Sequence, residues 1–398
     1  MENINENIND YIIDYLKSNL YDEYIYKNSE NTEYTNILKI DIMTKICKNY
    51  GFVNNYETYM ITNIVDHIVE DMKEKYAMRE KLKLQMDKLQ KLVLPEQRSK
   101  EWFEMRKGML TASSLACALG DDHFKSRNEL ILEKVENKQI PFVPNPITEW
   151  GVKYEEIATK FYEALNDLKI IEFGLIPHPD FTIFGASPDG ICSNDSPDEF
   201  IGRMLEIKCP PKRKFTKTVP KHYWYQMQGQ LVCCDLEECD FLQVKFQEYK
   251  TFDDYVADID NNVMVSDDNS DENGKTEKGL PKGCTLTYRK SDELKCSYLY
   301  PELYLSDSEY NNWILENRKN IESEGHEFVE AKWWYIERYE CTLVKRDREW
   351  WCVAMEKIYQ FHNEVEYYKT NGVEELKELI KNKGNKRVDI SKIEECLL

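Results

Sequence analysis

Asp189, Glu206 and Lys208 are the residues whose types and spacing suggest the most specific chemistry in this 398-residue chain. Glu206 and Lys208 lie in the run Arg203 to Pro211, RMLEIKCPP, which reads as a short β-strand ending at two prolines. Side chains alternate across a strand, so Met204, Glu206 and Lys208 share one face while Leu205 and Ile207 enter a core. Asp189, in SerProAspGly, stands 17 residues before Glu206. Hard divalent cations take carboxylate and carbonyl oxygens, activate bound water and offset phosphate charge. Asp189, Glu206 and the backbone carbonyl of Ile207 supply such oxygens, and Lys208 can hold the attacking water and offset charge. Glu155 can join the metal or water network from a neighbouring helix, and Gln228 can orient the lysine or the water. The chemistry expected is phosphodiester hydrolysis with Mg²⁺ or Mn²⁺. Taken singly, each signal is common: Glu155 reads as a solvated helix acid, SerProAspGly as a hairpin turn, and Glu-x-Lys recurs by chance.

The elements that must position these residues follow from periodicity. Trp150 to Leu165 predicts an amphipathic helix with Tyr154, Ile157, Ala158, Phe161 and Tyr162 as its apolar stripe. Strands are expected at Ile170–Ile176 and Phe181–Ala186, with Pro188-Asp189-Gly190 as a turn between strands. After CPPKRK a helix runs from His222 to Val232, with Gln226 and Gln230 on one face and Gln228 on another. Phe241 to Tyr249 alternates as a strand. Upstream, Thr111 or Ser113 is placed to cap a helix through Leu115 and Leu119, with Arg106 before it. Hydroxyls, a guanidinium and a helix start can cradle a phosphate, although by themselves they read as ordinary capping beside a surface arginine.

Residues 1 to about 95 read as helical, through Ile61, Ile64, Val65, Ile68, Val69 and Met72 and then Leu82, Met86, Leu89 and Val93, closing at Pro95. Lys73, Lys75, Arg79, Lys81, Lys83, Lys88 and Lys91 decorate this run as a charged, solvated face. Residues 253 to about 283 read as a polar, mobile insertion, and the Asp253–Glu272 stretch holds 8 acids and no Lys or Arg. The C-terminal third reads as a helix at Ser308–Glu322, an aromatic strand at Lys332–Lys345, a helix at Asp347–Tyr368 and a charged tail helix over 370–398.

A net charge of −20 argues against a protein that coats nucleic acid along its whole surface. A local basic groove remains open, since Arg203 to Lys221 holds 7 basic residues and one acid, Glu206. Lys212, Arg213 and Lys214 are its candidate nucleic-acid contacts. The 12 cysteines lack metal-site spacing, and Cys233, Cys234 and Cys239 read as buried packing thiols in a reducing compartment. No apolar run approaches a membrane span, and MENINENIND has no signal-peptide form, so the cytoplasm or nucleus of a host cell is expected.

Five ordered blocks give these pieces a context: Trp102 with Arg106 and Leu110 to Ser113, Gly151 with Glu155 and Ala158, Ser187 to Gly190, Glu206 to Pro210, and Tyr225 to Gly229. With them, Gln97 to Gln247 resembles the PD-(D/E)XK nuclease superfamily, and within it the phage lambda exonuclease and YqaJ-type viral recombinase family. Arg338 to Trp350 resembles a late segment of that family more loosely. The resemblance implies a restriction-endonuclease-like α/β core, with a central mixed sheet flanked by helices. It implies metal binding by Asp189 and Glu206 with Glu155 assisting, Lys208 as catalytic lysine and Gln228 as active-site glutamine. It assigns Arg106, Ser113 and Ser187 to the 5′-phosphate of a DNA end. It also implies Mg²⁺-dependent 5′→3′ digestion of duplex DNA, a single-strand annealing partner and a ring-shaped homotrimer.

The domain expectation is a helical extension at 1–95, a nuclease core at 96–250, an acidic insertion at 251–285 and a strand–helix extension at 286–398. The function expected is an exonuclease serving viral or phage-type recombination or replication. The competing readings are an endonuclease or RNA-cleaving relative on the same fold, and a non-catalytic adaptor that binds DNA ends.

Overall fold

The computed structural model describes residues 32–50, 55–97, 99–136, 145–212, 214–259, 274–291 and 295–384. The chain divides into two compact units, residues 1–91 and 92–398. In the first, helices α1 (Thr32–Tyr50) and α2 (Asn55–Gln90) pack together and bury Ile42 and Ile46. The α2 helix stops short of Pro95. Lys73 and Lys83 pair with Glu70 and Glu80 one turn earlier, as a solvated charged face does. The side chains of Ile61, Val65, Val69 and Met72 lie outside the described residues.

The second unit is mixed α/β. Its described elements are α3 (Lys100–Gly108), β1 (Leu110–Thr111), α4 (Leu115–Ala118), α5 (Arg127–Glu136), α6 (Pro146–Asn166), β2 (Ile170–Ile171), β3 (Ile176–Pro177), β4 (Phe184–Ala186), β5 (Gly190–Cys192) and β6 (Met204–Lys208). After these come α7 (Lys221–Cys234), β7 (Glu238–Glu248), α8 (Phe252–Ala257), β8 (Lys282–Arg289), β9 (Cys296–Leu299), α9 (Asp307–Ser323), β10 (Glu327–Lys345), α10 (Arg348–Asn371) and α11 (Glu374–Gly384). A seven-stranded mixed sheet runs β2-β5-β6-β7-β10-β8-β9, and a three-stranded sheet runs β1-β4-β3. Among the described residues, β6 and β7 are the only parallel pair in the large sheet, with Glu206 opposite Phe241 and Lys208 opposite Gln243. A parallel pair needs a crossover, and α7 is that crossover.

The α6 helix starts at Pro146, capped by Asn145, whose side chain accepts from the Ile147 amide at 2.9 Å. Its stripe of Tyr154, Ile157, Ala158, Phe161 and Tyr162 is buried against Leu205, Ile207, Leu242, Val244 and Phe246 of the central strands. Tyr154 stacks on Phe246 at 4.5 Å, and its hydroxyl donates to Glu248 at 2.8 Å. This helix therefore presses on the strand that carries Glu206 and Lys208.

Several expectations need correction. Ile170–Ile176 is not one strand: β2 and β3 lie in different sheets. Pro188-Asp189-Gly190 is likewise not a hairpin turn, because it carries the chain from β4 in the small sheet to β5 in the large one. Gly190 is required by crowding, since a Cβ there would stand 2.2 Å from Ile170 Cγ2. Thr111 and Ser113 cap no helix; their hydroxyls bond each other at 3.1 Å instead.

The stretch read as an insertion is ordered at both ends. Thr251 and Asp254 form a capping box that opens α8, whose Tyr255 is fully buried with Cys284, Leu286 and Tyr310. Lys282 begins β8, and residues 260–273 lie outside the described residues. The C-terminal elements follow the sequence closely. A capping box from Ser306 to Glu309 starts α9, and Asp347 caps α10 through the Trp350 amide at 2.8 Å. The tail helix is α11, and residues 385–398 lie outside the described residues.

Candidate active site

Glu206 sits in the middle of β6 and is 0% exposed. A buried carboxylate must be compensated by charge or hydrogen bonds. Lys208 bonds Glu206 Oε1 from the same strand face. Gln226 Nε2 donates to Oε1 at 2.7 Å, and Gln230 Nε2 donates to Oε2 at 2.7 Å. Gln230 also donates to the carbonyl of Ser187 at 3.3 Å, tying Glu206 to the segment that holds Asp189. Asp189 accepts from the Ile207 amide at 2.7 Å, so both carboxylates meet on one short stretch of strand.

The electrostatics follow from this crowding. Burial raises the Asp189 carboxyl well above its ordinary range, and Glu206 adds to the shift. Lys208 and the Ile207 amide oppose it only in part. Glu155, on α6, acts on Asp189 in the same upward direction. Burial works against the charge on Lys208, but Glu206 and Asp189 outweigh it and hold the ammonium charged above its usual range. The Tyr223 ring lies under that ammonium, with Lys208 Nζ 5.1 Å from its centroid.

A buried Glu206 beside an Asp189 whose carboxyl is pushed up by burial and by Glu206 forms a site that favours a cation. Their donor set is hard oxygen, which fits Mg²⁺ or Mn²⁺ completed by water. Asp189, Glu206 and the Ile207 carbonyl are the groups that would hold it. Among the described residues, no three His, Cys, Asp or Glu side chains gather as a metal site. Glu155 is therefore not brought into a three-carboxylate cage, although its charge is felt at Asp189. Cys233, Cys234 and Cys239 are buried and free, and burial pushes their thiols up, as packing thiols require.

Gln228, expected as the active-site glutamine, has its hydrogen-bond partners outside the Glu206 cluster. Its side chain is 0% exposed and points away from Glu206. It donates to the carbonyl of Lys345 at 2.9 Å and accepts from the Asp347 amide at 2.7 Å. The reason is helical geometry: residues two apart face different sides, so Gln226 and Gln230 meet β6 while Gln228 meets the β10–α10 junction. The helical repeat in TyrGlnMetGlnGlyGln separated the two faces in the sequence, but it left open which face met the site.

The residues expected at a phosphate cradle are brought together around Trp102. The Arg106 guanidinium lies 4.3 Å over the Trp102 ring, and its Nη2 donates to Ser113 at 3.3 Å. The Trp102 indole N–H donates to Ser187 Oγ at 3.2 Å. Burial lowers the Arg106 pKa, with Glu133 opposing. Gly229 fixes the distance between cradle and active-site helix, because a Cβ there would stand 2.9 Å from Phe184 and 3.1 Å from Ala112. Lys212 and Lys214 are exposed just beyond β6, and Arg213 lies outside the described residues.

Residues 101–237 match the YqaJ-like viral recombinase domain family. An uncharacterized protein of Acanthamoeba polyphaga mimivirus is 31% identical over 355 residues, 83% of this chain and 62% of the relative. A protein of African swine fever virus is 28% identical over 161 residues, 34% of this chain and 46% of the relative. The chain thus spans less than two thirds of the length of either relative. Among solved structures, an alkaline exonuclease from Laribacter hongkongensis aligns with a TM-score of 0.39 and 21% identity, covering 72% of this chain and 99% of that one. A phage-related exonuclease from Haemophilus somnus aligns with a TM-score of 0.35 and 13% identity, covering 67% and 96%. The matched segment holds Arg106, Ser113, Glu155, Asp189, Glu206, Lys208 and α7. Residues 101–237 are thus similar to the YqaJ-like viral recombinase domain family.

Proposed function

We propose that this protein is a metal-dependent nuclease that hydrolyses phosphodiester bonds of linear duplex DNA from its 5′ ends, exposing single strands for viral recombination or replication. The observation that carries the reading is the wholly buried Glu206, bonded by Lys208 and by two glutamines, beside an Asp189 tied to the same strand. A core strand has no structural need for a charge there. Phosphodiester cleavage needs negative charge to hold a cation and positive charge to meet the phosphate, and this cluster supplies both.

In this reading Asp189, Glu206 and the Ile207 carbonyl hold Mg²⁺ or Mn²⁺, which when bound activates water and offsets phosphate charge. Glu155 tunes the electrostatics of Asp189 from α6. Lys208 is held protonated, so it acts as a fixed positive charge toward the phosphate and the attacking water, not as a base. Gln226 and Gln230 keep the Glu206 carboxylate oriented. Arg106, Ser113 and Ser187 hold the terminal 5′-phosphate, with Trp102 fixing their spacing. A single-strand annealing protein and a homotrimer are the partners that the proposal carries. A cytoplasmic or nuclear site of action in the host cell goes with it.

Digestion of linear and covalently closed circular duplex DNA with Mg²⁺ tests the mode. The proposal expects loss of linear DNA, faster with 5′-phosphate than with 5′-hydroxyl ends, and an intact circle. Nicking or linearisation of the circle at a comparable rate would replace the end-directed mode with an endonuclease.

A further inference from the structure

We infer that the chain leaving β6 is a clasped basic rail for the phosphodiester backbone of the strand being cut, built from Lys212, Lys214 and Lys217 and pinned by Phe215 against Arg338. This deepens the nuclease reading above and rests on it. Lys212, Lys214 and Lys217 are all exposed, and none forms an ion pair with a described residue. The lysines at either end of the segment differ, because Lys208 pairs with Glu206 and Lys221 with Asp121. In a chain with 73 acids and 53 basic residues, unpaired lysines so close in sequence are a departure that solubility does not require.

Their placement is what selects the ligand. A chain reaches at most about 3.4 Å per residue, so all three lysines lie within roughly 30 Å of Lys208. A nucleic-acid strand carries a charge about every 3.4 Å, so that reach covers the first several phosphates beyond the cut. The clasp gives the segment from Lys214 onward a fixed course. Phe215 is half-buried beneath the Arg338 guanidinium, 4.6 Å from its ring centroid. Arg338 follows an irregularity in the pairing of β10 with β7, between Ile336 and Arg338, of the kind that re-aims side chains. Beside it, the Thr216 hydroxyl donates to the Thr218 carbonyl at 2.8 Å and tightens the turn. Aromatic packing between charged side chains holds the lysines outward while β10 anchors their base.

The test is the salt dependence of kcat/KM on end-labelled linear duplex DNA at fixed Mg²⁺. Each lysine that neutralises a phosphate contributes about 0.9 to the slope of log(kcat/KM) against log salt. The K212Q/K214Q/K217Q variant should therefore flatten the slope by about 2 to 3. Between about 50 and 200 mM salt the wild type should lose about 40-fold more activity than this variant. The K212R/K214R/K217R variant should keep the wild-type slope. The F215L variant changes no charge and should flatten the slope by at least about 1. An unchanged slope in the triple glutamine variant overturns the rail, and an unchanged slope in F215L overturns the clasp. Wild-type cleavage by K208A would instead overturn the nuclease site itself, so the two failures are distinguishable.

Discussion

Removing the Gln230 amide is the perturbation that discriminates most sharply between the two faces of α7. Gln230 donates to Glu206 Oε2, in a carboxylate that is 0% exposed, so no water can replace the lost bond. A hydrogen bond to a buried charged group is worth about 1.5–3 kcal/mol. Gln230→Met, which keeps the shape and loses the donor, should destabilise the unit at 92–398 by that amount. For a unit of roughly 300 residues this lowers the melting temperature by roughly 2–5 °C. Because the cost is the unsatisfied charge, it should largely disappear when Glu206 is also replaced by Met. The coupling energy in the double-mutant cycle should be at least about 1 kcal/mol. Gln228→Met should also destabilise, since it strips partners from the Lys345 carbonyl and the Asp347 amide. That loss should add to Glu206→Met within about 0.5 kcal/mol, as independent sites do. Urea denaturation of the four proteins in each cycle measures this. If Gln228 couples to Glu206 and Gln230 does not, the assignment of faces is wrong.

Other outcomes follow from the same geometry. Tyr223→Phe keeps the ring under Lys208 and should retain activity, whereas Tyr223→Leu removes about 0.5–2 kcal/mol of cation–π contact and should lower kcat by about 2- to 30-fold in steady-state assays. The native Asp189 carboxyl titrates above its unfolded value, so metal-free protein binds an extra proton in that window and loses stability as pH rises through it. Asp189→Asn should remove that loss, and matching stability–pH curves for the two proteins would contradict it. Arg106→Ala should abolish the preference for 5′-phosphate over 5′-hydroxyl ends while cleavage persists, read on end-labelled duplexes.

The core and the central pair were legible because they obey short-range rules. The α6 stripe has helical period, β6 alternates, and capping residues mark α9 and α10. The carboxylates and the lysine stand out because charge on an apolar strand is costly. What was not legible depends on long-range pairing. Nothing local shows that β4 and β5 enter different sheets, so Asp189 looked like the residue of a hairpin turn. The face of α7 that meets Glu206 is set by the β6–α7–β7 crossover, which a single helix does not encode. Two further signals were present: the capping box at Thr251, outweighed by the acidic run that follows it, and the alternation of Cys284, Leu286 and Tyr288 in β8. The cradle shows the reverse case. Its residues read locally as capping, and only the indole of Trp102 gives Ser187 and Arg106 a common reference point.

The central claim is that Asp189, Glu206 and Lys208 cut phosphodiester bonds with a divalent cation. The direct test is the single-turnover cleavage of end-labelled linear duplex DNA by wild type and Lys208→Ala, with Mg²⁺ and with chelator, alongside end binding by gel shift. Wild type should cleave with Mg²⁺ only, and Lys208→Ala should bind ends without cleaving them. Cleavage by Lys208→Ala at the wild-type rate, or cleavage by wild type in chelator, would contradict it.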